Sequence, residues 1–140
     1  EAEEIDESRV ALAHLRRAAV AAATLPRQGR VHLLQIAMLA PEVAAEALRA
    51  GDEAALRAAL SAGDEVLALR GDVMDTLRWD ENEDASAAQL LRTGLAAVRA
   101  VDAALRGTGT VAEAREALEA PRALLPRWHA VELLEGLLPP

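Results

Sequence analysis

Three histidines, His14, His32 and His129, are the residues of this 140-residue sequence that most readily suggest metal or acid–base chemistry. None belongs to an HExxH or ExxH motif, and they are not clustered at the spacing of a protein metal site. The chain has no cysteine, which excludes disulfides, thiolate nucleophiles and cysteine-bound zinc. His32 or His129 could still supply the single axial ligand of a haem or another metalloporphyrin held in a helical bundle.

Catalytic nucleophiles and carboxylate pairs are weak signals in this sequence. Its serines, including Ser61 and Ser86, lie outside any GxSxG motif, and there is no Walker-type or GxGxxG loop. Asp72 and Asp75 are three residues apart among arginines, which is typical of a solvated helix face. We therefore expect a protein that is not an enzyme.

Two polar residues interrupt apolar helical surfaces and are better candidates for binding. Arg70 shares a helical stripe with Met74, and Gln35 lies in a segment that is otherwise apolar. Buried guanidinium or amide groups without partners are costly, so both residues could orient a carbonyl or a ring nitrogen of a ligand. The alternatives are that Arg70 pairs with Asp75 or Asp102, or reaches the bundle edge, and that Gln35 faces solvent.

A planar ligand would need aromatic or thioether surfaces to stack on. The two tryptophans are the only aromatic residues of the chain, and there are two methionines, Met38 and Met74. Trp79 is expected near a helix end. Trp128 precedes His129 in the last helical stretch and is the better candidate for ligand stacking.

Apolar residues spaced three and four apart predict the elements that must position these groups. We expect an all-α fold, a single domain over residues 1–140 that forms a mostly antiparallel bundle of four to five helices. Predicted helices cover about residues 4–25 and 30–50, and others follow the boundaries at Gly51-Asp52, Ser86 and Thr110. Gly63-Asp64 resembles the first of these boundaries and could be a further turn. Kinks or restarts are expected at three prolines, Pro41, Pro121 and Pro126.

Small residues stand at core-facing positions where a bundle usually needs large ones. Gly63 and Gly94 are the clearest cases, because glycine inside a helix costs about 1 kcal/mol relative to alanine. Interiors are close-packed, so two explanations stay open. Either the helices approach closely at these glycines, or a bound molecule fills the space.

Charge and hydropathy restrict the partners that we expect. The net charge is −8, and the 15 cations, all arginine, are spread along the chain, which argues against nucleic-acid binding. No apolar run approaches the ~18 residues of a membrane span. The acidic N-terminus lacks signal-peptide features, so a cytoplasmic location is the default. We expect a monomer.

The stretches GDEAALRAAL and TVAEAREALEA, in residues 51–60 and 110–120, resemble those of computationally designed helical bundles. This resemblance implies binding of a drug-like molecule or a porphyrin. The three prolines depart from an idealised design, so a natural domain from a GC-rich genome stays open.

We accordingly predict non-enzymatic binding of one largely apolar, planar or polycyclic small organic molecule at the centre of the bundle. The alternatives are a haem or metalloporphyrin protein with oxidative or carbene-transfer activity, and a purely structural or oligomerising helical domain. The predicted ligand-binding residues are Gln35, Met38, Gly63, Arg70, Met74, Gly94, Trp128, His32 and His129.

Overall fold

The protein is an all-α bundle, as predicted, in a computed structural model that describes residues 10, 12–17, 29–78 and 86–140, with backbone only at residues 29–32. The helices of this part pack against one another around a core of leucine, valine and alanine side chains. None of them is long and apolar enough to cross a membrane. The helices are α1 (residues 12–17), α2 (Gly29–Ala50), α3 (Glu53–Thr76), α4 (Ala87–Arg106), α5 (Val111–Leu124) and α6 (His129–Leu137).

Side-chain caps explain why several helices begin where the sequence predicts. The carboxylate of Asp52 accepts a hydrogen bond from the Ala55 amide at 3.1 Å and caps α3. Thr110 and Glu113 form the predicted capping box of α5. Ser86 begins α4 with a second capping box, to Gln89, which is not among the predicted features.

The interruptions within helices agree only in part with those predicted. No turn occurs at Gly63-Asp64, and α3 instead leaves helical geometry at Arg70, where φ is −133° and ψ is 19°. Helix α2 runs through Pro41 as one element, and Pro121 lies within α5. Pro126 lies in the connection between α5 and α6, which confirms the restart predicted at this proline.

Three interhelical ion pairs give the relative direction of α3 and α4. Asp75 near the end of α3 pairs with Arg92 near the start of α4 at 3.1 Å. Asp64 pairs with Arg99 in the middle, and Glu53 at the start of α3 pairs with Arg106 at the end of α4. The two helices are therefore antiparallel.

Helix α4 is central in the described bundle, because it packs against α2, α3, α5 and α6. The predicted helix over residues 4–25 is described only at residue 10 and residues 12–17, all of them helical. Trp79 and the rest of that predicted helix lie outside the described residues.

Candidate functional site

Gly94 marks a close approach of α4 to α2 and α6. A Cβ atom built on Gly94 would lie 2.7 Å from Cγ of Pro41 and 2.9 Å from Cη2 of Trp128. Real Cβ atoms essentially never come this close to other heavy atoms. Glycine is therefore required here by packing, and it makes room for a buried proline ring inside α2.

Gly63 has the same role between α3 and α4. Its Cβ would lie 2.8 Å from Cδ1 of Leu95 and 3.5 Å from the Cβ of Ala40 in α2. Side chains of neighbouring helices thus fill the space in front of both glycines. The prediction that Gly63 and Gly94 line a ligand cavity is wrong, and the alternative of close helix packing describes both positions.

Trp128 is a packing residue at the start of α6. Its side chain is only 3 % exposed, and its ring lies against the Gly94 position. The indole Nε1–H donates a hydrogen bond to Oε1 of Glu42 in α2 at 3.0 Å. The predicted role of Trp128 as a stacking surface for a ligand is wrong, because the residue is buried and its donor is occupied.

His129 lies on the outside of the bundle. Its side chain is 63 % exposed, and Nε2 lies 3.2 Å from Oε1 of Glu46 in α2. The prediction that His129 contacts a central ligand or haem is therefore wrong. His14 is also exposed and lies 3.4 Å from Arg17. The His32 side chain lies outside the described residues, so its predicted role stays a prediction.

The pKa values of the two glutamates that contact α6 shift in opposite directions. Burial raises the pKa of Glu42, although the hydrogen bond from Trp128 acts against this shift. Burial would also raise the pKa of Glu46, but hydrogen bonds from Arg49 and His129 outweigh it and lower the pKa. We call these five residues, Glu42, Glu46, Arg49, Trp128 and His129, the α2–α6 polar cluster.

Two hydrogen bonds of the α2–α6 polar cluster, Trp128–Glu42 and His129–Glu46, connect the start of α6 to α2. Within the described residues, no group of three or more histidine, cysteine or acidic side chains is arranged to hold a metal ion. The geometry thus gives the cluster a structural role.

Arg70 is different, because one of its polar atoms is buried without a partner. Its Nε has no hydrogen-bond partner in the described structure. The two aspartates considered as partners are bonded to other arginines, Asp75 to Arg92 at 3.1 Å and Asp102 to Arg106 at 2.8 Å. The pairing alternative for Arg70 is therefore wrong.

The remaining predicted residues are divided between core and surface. Met74 is fully buried on the same stripe of α3 as Arg70, and Met38 is partly buried against the core. Gln35 is exposed, so its predicted inward role is wrong. Of the predicted ligand-binding side chains that the structure describes, Met74 lies in the core, and Arg70 is partly exposed with its Nε buried. No family model, curated protein or solved structure matches this chain.

Proposed function

We propose that the chain is a non-enzymatic binding protein for a small, largely apolar organic molecule that carries a hydrogen-bond acceptor, which Arg70 orients. This proposal is supported by the buried Nε–H of Arg70, which has no hydrogen-bond partner in the described part of the molecule. A buried donor without a partner costs about 1–3 kcal/mol, and more when it is charged. An acceptor on a bound molecule removes that cost.

The surroundings of Arg70 favour an apolar ligand body with one anionic end. Val66 and Met74, four residues before and after Arg70 in α3, are both buried. Their side chains favour an apolar, polarisable group. A carboxylate is the acceptor that best matches a guanidinium, because the pairing is charge-assisted. The proposed site therefore lies in the second half of α3, away from the contacts at Gly63 and Gly94.

Titration with a matched pair of probes, followed by NMR, tests this proposal. The first probe is 2-naphthoate, and the second is 2-naphthylmethylammonium, which has the same rings but a cationic donor. We expect a saturable shift of the Arg70 Nε–H resonance with 2-naphthoate only. The net charge of −8 would by itself favour the cationic probe, so this preference isolates the contribution of the guanidinium.

Two arginine variants complete the titration. Arg70→Met should abolish saturable binding of 2-naphthoate, whereas Arg57→Met should preserve it. Arg57 is the matched control because it lies on the same helix with its side chain 77 % exposed. An unchanged affinity in Arg70→Met, or stronger binding of the cationic probe, would overturn the proposal.

A second candidate function, a purely structural helical domain, is favoured by the close contacts at Gly63 and Gly94. Bundles of this kind hold their shape through side-chain packing alone and need no ligand to fill the core. This alternative predicts no saturable response of Arg70 to 2-naphthoate. Its oligomerising form predicts a mass that rises with concentration in light scattering, whereas we expect a monomer.

A further inference from the structure

A shallow cleft lies where α2 ends, α3 begins and α4 ends. Its volume is about 470 Å³, within the range of cavities that accept organic groups. Its apolar lining includes Leu48, Leu56 and Leu105. Leu105 is 46 % exposed, which makes it one of three large apolar side chains left in solvent by the described part of the molecule.

The cleft is open because the connection between α2 and α3 places no side chain over it. Gly51 has a left-handed conformation, with φ of 73°, and a Cβ atom there would meet nothing within 4 Å. Asp52, which follows, turns its carboxylate toward the Ala55 amide to cap α3. The tight turn thus leaves an apolar floor accessible at one end of the bundle.

The rim of the cleft is acidic. Its lining includes the carboxylates of Asp52, Glu53 and Asp102 and one guanidinium, that of Arg106, so carboxylates are in excess. A second guanidinium, that of Arg57, lies 3.9 Å from Glu53. Arg106 donates hydrogen bonds to both Glu53 and Asp102 and so fixes one wall. The lowered pKa of Glu53, caused first by the hydrogen bond from Arg106, keeps this carboxylate ionised. An apolar floor under a negative rim complements an apolar side chain with cations beside it.

We propose that this cleft docks a basic amphipathic helix of a partner protein. One large apolar side chain of that helix lies against Leu48 and Leu105, while its lysines or arginines face Asp52, Glu53 and Asp102. Recognition of this kind uses apolar residues at helical spacing in a groove. A second copy of the chain is a poorer occupant, because two molecules of charge −8 repel each other.

Synthetic peptides of about four helical turns test the proposal. The first has a leucine face flanked by lysines, the second replaces the lysines by glutamates, and the third scrambles the first so that no apolar face remains. Binding of each labelled peptide is measured by fluorescence anisotropy on the whole chain and on two variants. Leu105→Arg puts a cation into the cleft, and Leu69→Arg is the matched control because Leu69 is another exposed leucine, 64 % accessible, on α3.

We expect the lysine-flanked amphipathic peptide to bind, more weakly at high salt, and the other two to bind at least about tenfold more weakly. Leu105→Arg should weaken binding about tenfold, and Leu69→Arg should change it less than about twofold. Equal losses in both variants, equal binding of the scrambled peptide, or no binding would overturn the proposal. Concentration-dependent self-association that Leu105→Arg abolishes would assign the cleft to a second copy instead.

Discussion

At the scale of single residues, the molecule depends on a few positions where side chains meet without free space. Gly94 is the tightest of these, since it lies against the rigid rings of Pro41 and Trp128. At Gly63 the close neighbour is the end of a leucine side chain, which can change its rotamer. The same kind of contact therefore tolerates substitution differently at the two glycines.

Gly94→Ala is expected to destabilise the protein by about 1–2 kcal/mol, because overpacking against two rings exceeds the gain in helix propensity. Gly63→Ala should be closer to neutral, since Leu95 can move. Gly136→Ala is the control: nothing lies within 4 Å of its added methyl group, so it should stabilise by about 0.5–1 kcal/mol. Urea denaturation of the three variants measures their free energies of unfolding and so tests this order of stability. Stabilisation by Gly94→Ala would show that space exists there.

The two glycines show how much of a residue's environment can be predicted from the sequence. Their helical spacing places Gly63 and Gly94 on core faces, and the structure confirms their burial. The spacing does not tell whether a side chain or a ligand occupies the adjoining volume, because that depends on the neighbouring helices. The same limit applies to Trp128, whose partner Glu42 lies 86 residues earlier in the chain.

At the scale of elements, helix ends are easier to predict than interruptions inside helices. Caps such as Asp52 and Thr110 act on amides two or three residues away, so the local sequence contains the whole interaction. The packing of the Pro41 ring in α2 depends instead on the space that Gly94 provides in α4. The attachment of α6 likewise depends on distant partners, the two glutamates of α2.

The two glutamates that hold α6 should respond to pH in opposite directions. A raised pKa means that the folded state is stabilised by protonated Glu42, a contribution that is complete below about pH 4.5 and lost as pH rises through the folded pKa. A lowered pKa means that Glu46 stabilises the fold above about pH 4.5, and that this contribution is lost as pH falls through its folded pKa.

Glu42→Gln should therefore leave stability at pH 7 unchanged or increased, because the amide oxygen can still accept the indole hydrogen bond. Glu46→Gln should decrease stability at pH 7 by less than about 1 kcal/mol, and the difference should vanish in acid. Urea denaturation from about pH 3 to about pH 8 measures the free energy of unfolding of both variants. A larger loss at pH 7 in Glu42→Gln than in Glu46→Gln would contradict these assignments.

At the scale of the whole molecule, the close packing of the described core contrasts with one buried atom, the Nε of Arg70, that has no hydrogen-bond partner in the described structure. The described helices bury their apolar faces, and six of their arginines pair with acidic residues at the surface. Arg70 lies at an interruption of α3, and its buried Nε has no hydrogen-bond partner in the described structure. Binding sites commonly retain such groups at a cost in stability. The proposed function rests on this contrast.

The free energy of unfolding of Arg70→Met, measured with and without 2-naphthoate, tests whether the guanidinium of Arg70 binds a ligand at a cost in stability. Without the probe, the variant should be more stable than the wild type by about 1 kcal/mol, because methionine needs no hydrogen bond in the apolar stripe. With the probe, only the wild type and the Arg57→Met control should gain stability. A variant that is less stable than the wild type without the probe, or equally stabilised by it, would show that Arg70 is not a ligand-binding group.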